Sequence, residues 1–491
     1  MRAITAATTL ALVLATSAIA QCTTQIVPIP IGTNGPVHEL LQLQNGDILL
    51  VGDFTSAFGV AANRIARWNG TTVTALGSGL NGLVRDALEL PNGDLLVGGT
   101  FTTAGGQPAV GLARWDGSTW STLGSGPGAD VWSIAARPNG EIVVGTSHVD
   151  RARRWDGFAW SGLGLAPSPF VSFPVSAVHT MPNGDVVMSG QALVAVSGGF
   201  RDMARWDGTS VQAMPGLGTG TPALLGGNAT RFATLRDGTL YAAGSWSGVS
   251  VVRWTGTTWA AVPGTQVALG GAFDLSELPN GDWLLGGGFL YVGPNQAARG
   301  VVRRRNGTWE PFGSGVTGGA RSFLPLPSGD VLVGGELSVV DGQPANNLAL
   351  LVPTCRATAT SVGSGCSGGA GPLALAALSL PFTGSTQRSL AMILPGNAFG
   401  VGILGFTPLS MPLNTLLPQA LAGCQLLASP DELTLLPPNG GTVTTSLVVP
   451  NVPSLVGAVL QQQVASIELG PGGAITAIAT TNALQLTIGS S

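Results

Sequence analysis

The chain predicts an all-β fold: a seven-bladed β-propeller of four-stranded blades, its N-terminal strand closing the last blade, followed by a small β-sandwich domain. Three observations carry this. A turn of the type Asn-Gly-Asp recurs seven times, with its glycine at Gly46, Gly93, Gly140, Gly184, Gly238, Gly281 and Gly329; a period of about 47 residues marks an array of like units rather than one conventional core. Each unit parses into four short strand-like runs, and no stretch carries the periodicity of an amphipathic helix. After residue 355 the repeat stops, and short apolar runs alternate with Gly/Pro turns.

The second unit is the clearest copy. Its first run ends in Ala87-Leu88-Glu89-Leu90, and Asn92-Gly93-Asp94 then supplies the positive φ angles that a tight hairpin needs. Asp94-Leu95-Leu96-Val97 follows, closed by Gly98-Gly99, then a variable loop and the run 110–115 ending in Arg114-Trp115. Asp116-Gly117 makes a second hairpin turn, and 119–123 is the fourth strand. Four antiparallel strands in 40–50 residues describe a propeller blade.

The seventh unit has its turn, its Gly334-Gly335 and a third run at 347–352, but no fourth strand. The segment 25–32, with Pro28 and Pro30, precedes the first unit and has no partners of its own. Each fragment completes the other, so the N-terminal strand is expected as the outer strand of the last blade, where a missing N–H is tolerated. Cys355 then ends the third strand and Cys22 begins the fourth. A Cys22–Cys355 disulfide would replace the missing hairpin turn, a loop closure worth roughly 5–6 kcal/mol in the chain-entropy picture. Cys366–Cys424 is the remaining pair, within the tail.

The domain boundaries expected are 1–20 for a signal peptide, 21–355 for the propeller and 356–491 for the C-terminal domain. Arg2 followed by an apolar run and Ala18-Ile19-Ala20 fits a cleavable secretory leader, and four cysteines suit an oxidising compartment. The expected location is therefore secreted or cell surface. Only 9% of residues are charged, the net charge is −4, and none of the 21 basic residues is lysine; no basic field is available for nucleic acid. The tail carries five charged residues, Arg356, Arg388, Asp431, Glu432 and Glu468. Its apolar character points to surface attachment or partner docking, and a compact accessory domain fits it equally.

Val97-Gly98-Gly99, Trp115-Asp116 and Trp120, repeated in part as Gly286-Gly287, Trp254, Trp259 and Gly334-Gly335, resemble kelch and galactose-oxidase-like propellers. The run from Ala113 to Gly124 is similar to repeats of exported bacterial propeller proteins. The chain departs from kelch in using Arg-Trp where tyrosine is usual, and several copies keep one glycine only. The resemblance implies a fold and not a task.

Residues repeated in phase, such as Trp68, Trp115, Trp155, Trp206 and Trp254 with Arg67, Arg114, Arg154, Arg205 and Arg253 before them, are what packing between like units demands; the arginines are expected to bond turn carbonyls. Function is expected where the copies disagree. At the start of each inner strand, near the mouth of the central channel, stand His38-Glu39, Arg85-Asp86, Trp132-Ser133, Ser176-Ala177, Thr230-Arg231, Phe273-Asp274 and Arg321-Ser322. The candidate ligand-binding residues are His38, Glu39, Arg85, Asp86, Trp132, Arg231, Asp274 and Arg321.

Copper-radical oxidase chemistry needs tyrosine and histidine ligands beside a free cysteine, and the chain has two tyrosines, three histidines and no cysteine to spare. A sialidase needs a tyrosine nucleophile and an aspartate box that Asp-Gly-x-Thr-Trp fails to match. No spaced His/Cys set proposes a metal, and no cofactor is expected. The leading expectation is a non-enzymatic binder of a glycan or protein ligand; the alternative is a polysaccharide hydrolase or lyase using Glu39 with Asp86 or Asp274.

Overall fold

The computed structural model describes residues 24–489 except 166–173, 197–198, 216–227, 247–248, 269, 280, 294–295, 306, 354–356, 393–394, 438–440 and 451–454. The leader 1–20 and the Cys22–Cys355 pair expected from the sequence lie outside the described residues. Two compact units are present, Thr24–Val352 and Pro353–Ser490.

Among the described residues the first unit holds seven antiparallel sheets of four strands each. The inner strands are Val37–Gln42, Val84–Glu89, Val131–Ala136, Val175–Thr180, Ala229–Thr234, Ala272–Glu277 and Ala320–Pro325. Each packs on the inner strand of the next sheet, and the seventh packs on the first, so the contacts run in a closed circuit. In the second sheet Val84–Glu89 pairs with Leu95–Gly99, which pairs with Leu112–Trp115, which pairs with Trp120–Ser121. Gly93 sits at φ 85° in the hairpin between the first two strands, a conformation that costs a glycine little. The pattern Gly-Gly has a separate cause: a Cβ on Gly99 would stand 2.0 Å from the carbonyl oxygen of Leu83.

Thr24–Pro28 is the outer strand of the seventh sheet, beside Leu348–Pro353. Beyond the strand, Ile29 donates to the Leu348 carbonyl at 3.1 Å, and Asn346 Nδ2 donates to the Pro30 carbonyl at 2.9 Å.

Four of the five repeated arginines bond carboxylates rather than turn carbonyls. Arg114 Nε donates to Asp94 Oδ2 at 2.7 Å, and Arg67–Asp47, Arg154–Glu141 and Arg205–Asp185 repeat the pair. In these four sheets the acid that ends the turn thus reaches the third strand of its own sheet. Trp120 is buried and its Nε1 donates to the Leu76 carbonyl of the preceding sheet at 2.9 Å; Trp160 does the same to Leu123 at 2.7 Å. These tryptophans therefore work as joints between sheets.

The loops between second and third strands, featureless in sequence, form short hairpins such as Thr103–Ala104 with Gln107–Pro108. In an antiparallel sheet these hairpins and the starts of the inner strands share one end.

The second unit contains a six-stranded sheet, with Ala398–Gly405 and Val459–Leu469 near its middle, and a three-stranded sheet of Ala374–Ala377, Thr386–Met392 and Thr442–Val448. Residues of both, including Ile403, Val464, Leu375, Ala391 and Val443, bury one core. Cys366 and Cys424 are disulfide-bonded within that core, their Cα atoms 5.0 Å apart.

Candidate functional site

Every inner strand breaks register with its neighbour at the same place. The pairing skips between Val37 and Glu39, Val84 and Asp86, Val131 and Ser133, Val175 and Ala177, Ala229 and Arg231, Ala272 and Asp274, and Ala320 and Ser322. A bulge places two consecutive residues opposite one partner residue and re-aims their side chains. The bulged residues are His38, Arg85, Trp132, Ser176, Thr230, Phe273 and Arg321, the first members of the seven variable pairs. All eight candidate residues line a single cavity of about 720 Å³, to which all seven inner strands contribute.

The second members form a ring with defined work. Arg231 of the fifth sheet reaches Glu39 of the first, Nη1 to Oε2 at 3.0 Å and Nη2 to Oε1 at 2.9 Å, a two-pronged pair from one side of the channel to the other. Its Nε faces Asp274 Oδ1 at 3.5 Å. Asp86 accepts the backbone N–H of Ile134 at 2.6 Å, Asp274 that of Phe323 at 3.0 Å, Ser133 that of Val178 at 3.2 Å and Ser322 that of Leu40 at 3.0 Å. Each of these bonds ties one inner strand to the next. Where Glu39 and Arg231 are committed to one another, the following strand meets its own need: Asp274 Oδ1 accepts from Leu275 at 2.9 Å and Asp86 from Ala87.

Burial pushes the Glu39 carboxyl up to about 7, the nearby Asp86 and Asp274 adding to the rise and Arg231 opposing it. Asp86 and Asp274 are raised by burial as well, against the pull of Arg231 and of their backbone donors. The Arg231 guanidinium is held fully charged, with Glu39 the main cause.

The first members are a different population. The Arg85 guanidinium stacks 3.7 Å from the Trp132 ring centroid, and Arg321 stacks 4.8 Å from Phe273. His38 is pushed down to about 4 by burial first, then by Arg321 and Arg85, and is neutral near pH 7. Ser176 and Thr230 donate to the Ala229 and Ala272 carbonyls of the following strands, at 3.0 and 2.8 Å. Two contributors were not singled out from the sequence. His179 also lines the cavity, bonded to Thr234 Oγ1 at 3.0 Å; its place two residues after Ala177, on the same strand face, was the available signal. Glu336, on the connection leaving the seventh sheet's second strand, pairs with Arg321, a contact with no local pattern. Among the described residues no cluster of His, Cys, Asp and Glu is arranged to hold a metal ion.

A family model described as a domain of unknown function (DUF5122), a β-propeller, matches residues 90–115. No curated protein matches the chain. Among solved structures, virginiamycin B lyase from Staphylococcus aureus is similar at 12% identity and a TM-score of 0.46, over 68% of this chain and 99% of that one. A structure described as YCF48 bound to D1 peptide is similar at 16% identity and a TM-score of 0.44, over 67% of this chain and 97% of that one. The extracellular domain of a hybrid two-component system from B. thetaiotaomicron is similar at 11% identity and a TM-score of 0.46, over 96% of this chain and 59% of that one. No helix among the described residues is long and apolar enough to cross a membrane. The unit Thr24–Val352 is a β-propeller domain.

Proposed function

We propose that this is an exported, non-enzymatic, kelch-like propeller of seven blades, closed by its N-terminal strand, which binds a glycan or protein ligand at its channel mouth outside the cell. The leader-like residues 1–20 support export, and the C-terminal unit, read as a β-sandwich, serves attachment or docking. One observation carries the binding reading: the bulged residues, which differ from copy to copy, open onto one cavity of about 720 Å³, while the in-phase Arg and Trp residues bond within and between sheets. Concave sites with a few convergent polar groups are where ligands bind.

The hydrolase or lyase reading rests on Glu39, whose carboxyl at about 7 has the value of a general acid near neutrality. Against it, both Glu39 oxygens are taken by Arg231, and Asp86 and Asp274 bond backbone N–H groups. A pair of carboxylates able to reach a glycosidic bond is therefore not at hand. Glycan and peptide arrays with the full chain, followed by product analysis, separate the two. Binding without product supports the channel-binder reading; turnover lost in Glu39→Gln overturns it.

A further inference from the structure

The carboxylates that line the cavity, Glu39, Asp86, Asp274 and Glu277, are engaged by Arg231 or by backbone N–H groups, whereas the rim carries Arg85 and Arg321. Arg85 lies flat on Trp132, 3.7 Å from the ring centroid, and both Arg85 Nε and Trp132 Nε1 are buried without a hydrogen-bond partner. Arg321 is stacked on Phe273 and meets a single oxygen of Glu336, itself 47% exposed. The acids felt at this rim are Asp130 by Arg85 and Glu336 and Asp53 by His38, and no hydrogen bond joins Arg85 to any of them among the described residues. The imidazole between the two arginines is neutral because they and its burial disfavour a further charge there. Arg85 and Arg321 both line the cavity, and a guanidinium fixed by stacking is pre-set to bond a carboxylate.

The rest of the rim narrows the class. A peptide would be held through a strand edge or an apolar pocket; here the bulges interrupt the inner-strand ladders, and Phe273 and Trp132 each have a guanidinium over one face. What remains is the imidazole of His38 and the hydroxyl oxygens of Ser176 and Thr230, which donate to backbone carbonyls and can still accept, the complement of a hydroxylated ligand. From this we infer that the rim recognises the carboxylate of an acidic sugar, a uronate residue of a polysaccharide, with Arg85 and Arg321 as its anchors. This rests on the channel-binder reading above.

The test is calorimetric titration of the full chain with oligomers of galacturonate, mannuronate and glucuronate, their methyl esters, and oligoglutamate. Expected is binding of at least one uronate that weakens with salt and is lost on esterification. Arg85→Gln and Arg321→Gln should each weaken it roughly ten- to hundredfold, the value of a hydrogen bond to a charged group. Arg321→Lys, which keeps charge but loses the fork, should retain part of the affinity, and the unfolding midpoint of each variant shows that it is folded. An ester that binds as well as the acid overturns the acidic-sugar assignment but leaves a glycan-binding channel, as does a neutral ligand whose binding Trp132→Ala abolishes. Oligoglutamate binding in place of every uronate moves the assignment to acidic peptides and overturns it equally. No binding by any of these overturns the inference, and if arrays are also blank the channel-binder reading fails with it.

Discussion

Two rings of side chains stand one residue apart on the same seven strands and do opposite things. Asp86, Ser133, Asp274 and Ser322 bond strands of neighbouring sheets and Glu39 pairs with Arg231 across the channel; His38, Arg85, Trp132, Phe273 and Arg321 face the cavity with donors and ring faces. What separates them is the bulge. In a regular strand consecutive side chains alternate between faces, so a structural ring and a binding ring could not be adjacent in sequence. The bulge lets a fold hold a fastening and a cavity-facing position side by side on one strand.

Changes in the inner ring should be costly, and Arg231→Met the most, since it leaves Glu39, Asp86 and Asp274 buried with no counter-charge. A loss of about 3–5 kcal/mol is expected, read by denaturant unfolding, and a variant as stable as the parent would end the distinction between rings. Asp274→Ala orphans the Phe323 and Leu275 N–H groups and should lower stability by about 2–3 kcal/mol, against about 1 kcal/mol for Ser322→Ala, which removes one uncharged acceptor.

Glu39 sharpens the comparison through pH. Its folded value of about 7 lies above its ordinary 4.5, so the folded protein holds the proton that the unfolded chain releases. The contribution of this group is full below about 4.5 and is lost as pH rises towards 7. His38 and His179, pushed down to about 4, act in the other direction, their contribution being lost as pH falls from 6.5 to 4. The difference between parent and Glu39→Gln isolates the glutamate: the parent should lose stability relative to the variant between pH 4.5 and 7, and parallel curves would refute it. The smallest effect belongs to the outer ring, where Arg321→Gln should change stability by no more than about 0.5 kcal/mol.

Much of this was legible because glycine and proline have few uses. Gly93 and its equivalents marked the first hairpin of each sheet, and Pro28 and Pro30 with an orphan strand indicated the edge that Thr24–Pro28 occupies. The variable pairs were visible as polarity in a chain poor in charge. The bulge that explains them was not, because a non-glycine residue can occupy one and nothing about His38 or Trp132 announces an extra residue. Arg114 was misread for a similar reason: bonding to Asp94 requires the register of strands two and three, and sequence shows each strand alone. The pairing of Arg231 with Glu39, 192 residues apart, follows from curvature of the whole array.

The outer strand of the seventh sheet has a temporal consequence. Pro30 and its partner Asn346 are 316 residues apart, so the strand Thr24–Pro28 is made long before its partner and is among the last to find its place. Contacts this distant in sequence close slowly, and until then the seventh sheet has an open edge able to pair with another chain. The ring is closed by a segment that must be kept waiting.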